Sequence, residues 1–553
     1  MPGKAKRGTS RTTASQKSRT GAQSRFASIP SIQSQRSVFD RSCGLKTTFD
    51  GGFLVPIFVD EVLPGDTVSL RATLFGRMAT PIFPVLDNAY LETFWFAVPN
   101  RILWEHWKEF MGEQQDPDDT IIYRTPTITF ADGTVPASSI HDYMGVPINT
   151  PLSDTYTPVN AFWHRAYNMI WNEWFRSEDL QAKAVENKND GPDAPNDYKL
   201  LRRGKRHDYF TSSLPFRQKG NPVELPLGST APLTITGDGI PTFNVGTSTG
   251  NALVGDNQNP ATNPPGASLT SWSGAIITGG IHQASWDTPN LTGTADLSTA
   301  TASTVNDIRE AFQTQRILER DARGGTRYQE LLRAHFGVSS PDSRQQRPEI
   351  LSTSSQLINI NPIAATAGNV ADQRPVGDLA GFATMSARAG FTKSFTEHAV
   401  IIGLVNVRAD LTYQNGVERM FSRRDRFDYY WPALSHLGEQ SVRNREIFVD
   451  GTADDDAVWG YQEAWAEYRY KPSRTSGRMR SATSSGQSLD AWHWGLDFAT
   501  RPALNDVFIE DNPPIVRTIA VQDEPQFILD AWFQYKCARP MPTYSVPGLI
   551  DHF

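Results

Sequence analysis

Two runs in which cations lead directly into aromatic rings are the residues of this sequence best suited to chemistry. Arg202, Arg203, Lys205, Arg206 and His207 precede Tyr209 and Phe210, and Arg423, Arg424 and Arg426 precede Phe427, Tyr429, Tyr430 and Trp431. Guanidinium groups neutralise phosphate and aromatic faces stack bases whatever their sequence, which is the chemistry of single-strand binding. Arginine and tyrosine also populate protein interfaces, and Asp208, Asp425 and Asp428 are close enough in sequence to serve internal ion pairs, so both readings stay open. A third basic feature is the N-terminal stretch, where Lys4, Lys6, Arg7, Arg11, Lys17, Arg19, Arg25 and Arg36 occur before Ser37 without a single Asp or Glu, in a chain of net charge −7. A Ser/Thr/Gln/Gly-rich arm of this kind cannot bury enough apolar surface to order itself, yet it can condense onto a polyanion by releasing counterions. The competing reading is a solvated tail, or one that orders only against a neighbouring subunit.

Catalytic and metal-binding patterns are weak by comparison. Gly246-Thr247-Ser248-Thr249-Gly250 fits the spacing of a nucleophile elbow, but it lies in a low-complexity stretch with no strand-turn-helix context to expose the serine beside a base. The carboxylates of Asp450, Asp454, Asp455 and Asp456 could approach a hard cation, but the loop lacks the glycine and distal glutamate of an EF-hand and reads better as a solvated turn. No HExxH pair, Walker loop or dinucleotide glycine fingerprint occurs, and two cysteines, Cys43 and Cys537, make no thiolate zinc site or disulfide framework. The sequence therefore predicts no enzyme, no cofactor and no metal site. Its longest apolar stretch, Ala399–Val407, is too short for a spanning helix, so no membrane insertion is expected.

The elements that must carry these residues are mostly strands. Val68, Leu70, Ala72 and Leu74 alternate with polar neighbours, and Phe527, Leu529, Ala531, Phe533, Tyr535 and Cys537 keep period two to the C-terminal region. Tyr90–Val98 is aromatic on both faces, as expected of a strand covered on one side by a core and on the other by an insertion or a second subunit. Ile515–Val521 and Phe391–Val407 read as further strands. The economical packing is an antiparallel sandwich. Helices interrupt it: Trp163, Tyr167, Ile170 and Trp174 draw one stripe on a helix that Asn160 could cap. Tyr328, Leu331, Leu332 and His335 or Phe336 make a second face behind Gly324 and Gly325, and Leu103, Trp107 and Phe110 suggest a third; ordinary core packing is expected of each.

From Gly220 to Ile308 the composition turns to Gly, Ser, Thr, Asn and Pro with no Lys or Arg. A structureless loop of that length is unusual, so the segment should fold partly on itself through residues such as Trp272, Ile276 and Trp286. Its acids make it a poor phosphate surface, so it should face away from any polyanion that the basic arm binds. The expected organisation is an extended basic arm (1–48), a first body segment (49–219), the insertion (220–307), the rest of the body (308–537) and an extended Pro-rich tail (538–553).

Several long strings then point in one direction. They are the run Phe49–Trp107 containing FDGGFLVPIFVDEVLPGD, AYNMIWNEWFRSEDLQ (Ala166–Gln181), RRGKRHDYFTSSLPFRQKG (Arg202–Gly220), HAVIIGLVNVRADLTYQNG (His398–Gly416), DYYWPALSHLGEQ (Asp428–Gln440) and GYQEAWAEYRYKPS (Gly460–Ser473). In these strings, which span most of the chain, the sequence resembles the major capsid proteins of gokushoviruses, small single-stranded DNA phages of the microvirus family. The resemblance implies an eight-stranded antiparallel jelly roll, mainly β, assembled as a homo-60-mer into a T=1 shell in the host cytoplasm. It also implies packaged single-stranded DNA, a DNA pilot protein, a small basic packaging protein and a host surface receptor as partners. In the family the insertion clusters as a three-fold protrusion, which makes Trp272 and Trp286 candidates for host contact. The readings from other classes are a carbohydrate-binding or glycan-hydrolysing jelly roll and a freestanding single-strand DNA-binding protein.

Overall fold

A computed structural model describes residues 35–221 and 305–544 apart from short loop stretches, and between them the strands of 233–295. The chain divides into two compact units, one formed by residues 1–211, 342–416 and 472–553 and the other by 212–341 and 417–471. The second unit therefore gathers more than the insertion read from composition, taking in flanking helices and a later loop.

The first unit is a sandwich of two antiparallel sheets. Its strands in chain order are β1 (Ser37–Asp40), β2 (Cys43–Phe49), β3 (Val55–Val62), β4 (Thr67–Met78), β5 (Ala89–Pro99), β6 (Glu349–Leu357), β7 (Asn359–Ala364), β8 (Leu379–Ser394), β9 (Ala399–Ala409) and β10 (Phe527–Arg539). One sheet has six strands in the order β1–β10–β4–β8–β7 with β2 also on β10, and the other has four in the order β6–β5–β9–β3. Successive strands β2 to β5 alternate between the sheets, as do β8, β9 and β10, which is the jelly-roll path. The strands β1 and β7 lengthen the margins of the six-stranded sheet beyond the eight expected. The last part of the basic arm is thus a sheet edge, with Ser37 paired to Arg539 and Cys43 to Phe533.

The alternation legible in β4 and β10 is the alternation of burial: in β10 every second residue from Phe527 to Cys537 is buried and its neighbours are exposed. Phe58, Trp95, Phe533 and Tyr535 meet in the sandwich core. Strand β5 is apolar on both faces because it separates two cores. Leu91, Trp95 and Ala97 face the sandwich, while Phe94, Phe96 and Val98 face a second cluster built around helix α1 (Phe162–Ile170). The helix continues as a π-helical turn, Trp171–Phe175, and Asn160 Oδ1 accepts the Phe162 amide at 2.8 Å. Tyr167 is fully buried and donates its hydroxyl to the Leu54 carbonyl at 2.8 Å.

Three expectations need correction. Ile515–Val521 is not a strand: after Pro513 and Pro514 the chain takes a 3₁₀ turn over Ile515–Thr518, and Ile515 and Ile519 fill the sandwich core from it. Phe391–Val407 is two strands, β8 and β9, parted by a turn in which the Phe395 amide donates to the Asp66 carbonyl. Leu103, Trp107 and Phe110 fall on two separate helical turns, Asn100–Leu103 and Trp107–Phe110.

In the second unit, α2 (Val305–Gly324) went unread in the sequence, and α3 (Tyr328–Phe336) follows Gly325, whose φ of +88° favours glycine. Core packing was expected of α3, yet Tyr328 and Phe336 are each 74% exposed and no residue of the helix is buried. Among the described residues, the strands of the insertion pair with one another, in three small antiparallel sheets. A further pair, Glu439–Arg443 with Val458–Glu463, is bridged to Leu214 through Tyr461. Among the described residues no helix is long and apolar enough to cross a membrane.

Candidate nucleic-acid and assembly surfaces

The segment Arg202–Arg206 is held by backbone bonds on both sides. The Arg203 amide donates to the Gly52 carbonyl at 2.9 Å, the Asp511 amide to the Arg203 carbonyl at 2.8 Å, and the Lys205 amide to the Ile509 carbonyl at 2.8 Å. Gly52 has φ +83°, and a Cβ there would lie 2.0 Å from the Asp511 carbonyl oxygen, so only glycine lets these segments approach.

The side chains of this segment turn to partners within the same unit. Arg203 pairs with Glu92 and lies over the Phe94 ring, and Arg408 grips the same carboxylate in a fork, at 2.9 and 3.0 Å. Arg206 pairs with Asp410 at 2.9 Å and covers the Tyr90 ring, while Arg202 donates to the Asp511 carbonyl at 3.0 Å and lies over Phe53. Lys205 donates to the Phe508 carbonyl, and burial pushes its amine down to about 8. Arginine is suited to such sites, because its planar fork satisfies a buried carboxylate bidentately. Glu92, Arg408 and Asp511, which complete the cluster, had no signal in the sequence: they are far apart along the chain, Glu92 and Arg408 meeting through strand pairing and Asp511 through its backbone bond to Arg203.

The second basic run borders a polar cavity of about 460 Å³ in the second unit. Arg419 pairs there with Glu446 at 3.2 Å, Arg423 with Glu467 at 3.0 Å and Arg445 with Asp456 at 2.6 Å. Burial raises Glu439 on its wall to about 7. Of the run's aromatic residues Phe427 lines the cavity and Tyr429, Tyr430 and Trp431 do not; all four are about half or more exposed, with Arg426 stacked over Phe427 and Trp431.

Of the arm residues, Arg36 is described, and its guanidinium donates to Thr67 Oγ1 at 2.6 Å. Lys4, Lys6, Arg7, Arg11, Lys17, Arg19 and Arg25 lie outside the described residues. Trp272 and Trp286 sit on the strands Ser271–Trp272 and Ala284–Trp286. In the elbow-like sequence Ser248 opens the strand Ser248–Asn251 and pairs with Val245, so a strand rather than a helix follows the serine. In the acidic turn, Asp450 and Asp455 accept backbone amides from Thr452 and Gly451, at 3.0 and 2.9 Å. Cys43 and Cys537 are both free thiols.

The whole length of this arrangement has relatives. Residues 27–549 match the family model described as capsid protein (F protein). The chain belongs to this capsid protein family. It is 43% identical to the capsid protein VP1 of Bdellovibrio phage phiMH2K, over 96% of this chain and 98% of that one. It is 39% identical to VP1 of Chlamydia phage 1, over 95% and 97% of the two chains, and 35% identical to VP1 of Spiroplasma virus 4, over 91% and 93%. As a capsid protein it has a structural role in the virion and assembles with copies of itself. On the six-stranded sheet, Phe75, Phe382, Ile528 and Trp532 point away from the core and are 38–59% exposed.

Proposed function

We propose that this capsid protein is the major shell subunit of a gokushovirus-like particle, sixty copies closing a T=1 icosahedral shell around a circular single-stranded DNA genome in the host cytoplasm. The observation that carries the reading is the jelly-roll sandwich with an apolar, aromatic outer face. A lone soluble subunit rarely leaves so many large apolar side chains bare on one face, whereas a closed shell covers such a face with neighbouring copies or with what it encloses. In this reading the arm, with Lys4, Lys6, Arg7, Arg11, Lys17, Arg19 and Arg25, contacts the DNA. The insertion 220–307 faces outward, with Trp272 and Trp286 as host-contact candidates. A DNA pilot protein, a small basic packaging protein and a host surface receptor complete the partners.

Size-exclusion chromatography and electron microscopy of the purified full chain, with and without single-stranded DNA, test it. Closed isometric particles of sixty copies are expected. A monomer that binds sugars, or a non-particulate chain coating DNA cooperatively, overturns it in favour of a lectin-like or freestanding single-strand-binding protein.

A further inference from the structure

The outer face of the six-stranded sheet carries two arginines, Arg71 and Arg388, with which no described residue pairs. Trp532, Thr73 and Arg388 stand in register across β10, β4 and β8, and Gln534, Arg71 and Gly390 form the next row. Together with hydroxyls of β6 they line a shallow groove of about 830 Å³ whose wall contains no carboxylate. No ion pair or hydrogen bond joins the Arg71 or Arg388 guanidinium to any described residue, in contrast to Arg202, Arg203 and Arg206. Asp530, two residues from Trp532 on the same face, pairs in register with Phe75 and Lys46, beyond the groove lining.

The indole of Trp532 lies over Gly44 of the neighbouring strand, 3.3 Å from where a Cβ would be, and is 55% exposed. Glycine lets the ring settle against the sheet, leaving its other face to solvent. Arg388 is two strand spacings away, about 10 Å across the sheet, and Arg71 one row along. The same face continues with Arg77, whose guanidinium is 5.9 Å from the ring centroids of both Phe75 and Phe382.

We propose that this groove is a sequence-tolerant binding site for single-stranded nucleic acid, with Arg71 and Arg388 on phosphates and Trp532 stacked on a base. The charge of the groove decides the occupant. Two unpaired arginines beside an exposed indole repel a like surface on a second copy, yet complement a polyanion that also offers π-faces. The hydroxyl and amide groups of Thr73, Thr392 and Gln534 serve either sugar or base edges without selecting a sequence. The proposal deepens the shell reading by naming where the enclosed strand touches the sheet, and it rests on that reading.

The test is fluorescence anisotropy of a labelled 30-nucleotide oligothymidylate titrated with the full-length chain at several salt concentrations, in wild type and in R71Q/R388Q/W532A. Both are also made with Lys4, Lys6, Arg7, Arg11, Lys17, Arg19 and Arg25 changed to Gln, so that the arm does not mask the groove. The groove variant is expected to bind at least about tenfold more weakly in either background, with the log–log salt slope smaller by about 1.4 for the two phosphates lost. Thermal unfolding, which these exposed side chains should not change, and quenching of Trp532 fluorescence by the oligonucleotide accompany the titration. Equal affinity and slope in variant and wild type overturn the proposal, as does a variant that keeps DNA binding but loses particle formation, which assigns the groove to a second copy. Particle formation by the wild type, scored separately, judges the shell reading.

Discussion

Arg165 and Asp193 meet fork to fork inside the second core, with Nε–Oδ2 and Nη2–Oδ1 distances of 2.7 and 2.8 Å and both side chains 1% exposed. The guanidinium also donates to the Asn189 carbonyl at 2.9 Å, and Tyr198 donates to the same carboxylate, so the pair ties α1 to the loop that follows it. Removing one member strands a charge where water cannot reach it. Asp193→Leu is therefore expected to lower unfolding free energy by about 3–5 kcal/mol, while R165M/D193L recovers much of the loss. Urea unfolding of both variants checks this; equal damage in the single and the double variant removes the buried charge as the cause.

The same core holds a proton-sensitive pair. His141 Nδ1 and His164 Nε2 are 3.0 Å apart, and burial pushes His141 down and His164 down to about 3. Phe130, Tyr198 and each other's rings surround them, and no described carboxylate acts on either ring. The unfolded chain takes up these protons below about pH 6.5 while folded His164 stays neutral to about 3, so stability is complete above that range and falls with pH, at about 1.4 kcal/mol per unit for one histidine. Unfolding midpoints measured between neutral and acid pH should decline, and H141Q/H164Q should flatten the decline. An unchanged slope would show that other groups set the acid response.

Glu92 is the shared anion of Arg203 and Arg408, with Arg206 3.7 Å away. Glu92→Gln leaves three guanidinium groups around a neutral amide, and a loss of about 3 kcal/mol or more is expected, as for other broken buried ion pairs. Because these cations are directed inward, Arg203→Gln should lower thermal stability without altering the salt dependence of oligonucleotide binding. A changed salt slope in a variant that is still folded would place Arg203 on the DNA.

Trp95 packs directly on Gly403 in the adjacent strand, where a Cβ would lie 2.6 Å from Cζ3 of the indole. Gly403→Ala must push an indole of the sandwich core off its seat, at an expected cost of about 1–3 kcal/mol. Thermal unfolding reads this directly, and a neutral substitution would mean that the indole moves freely.

At the C-terminal end, β10 runs to Arg539, whose Nε is 2.9 Å from the fully buried Asp66. The tail reading separates there. The Pro-rich tail is read as a strap that docks on a neighbouring copy, and its hydrogen bond within the chain from Thr543 Oγ1 to Ser37 Oγ, at 3.1 Å, is exposed, so deleting 541–553 is expected to change subunit stability little while impairing particle formation. Deletion from Ala538 should also cost stability by unpairing Asp66. Normal particles from the shorter deletion would refute the strap.

Much of the fold was legible because its information is local. Period two in Val68–Leu74 and Phe527–Cys537 records which side of a pleat is wet, and the doubly aromatic Tyr90–Val98 announces burial on both faces. Other features were not local. Ile515–Val521 has strand composition, but two prolines before it remove the ladder and leave its isoleucines to plug the core. The arginines of 202–206 and 423–426 look alike in sequence, and only their neighbours in space distinguish a guanidinium locked on Glu92 from one stacked on a surface ring.

By itself, the sequence determined the class of the molecule, a β-rich sandwich with a basic arm and an uncharged-to-acidic insertion, because side-chain periodicity and composition act along the chain; the jelly-roll path was implied by the family resemblance. Only the tertiary structure decided which cations are spent inside and which remain free. Arg203 finds its carboxylate 111 residues away, whereas Arg71 and Arg388 are set side by side on one sheet face with none in the groove they line. Charge neutralisation depends on distances through space, and strand pairing sets those distances without leaving a mark on neighbouring positions in sequence.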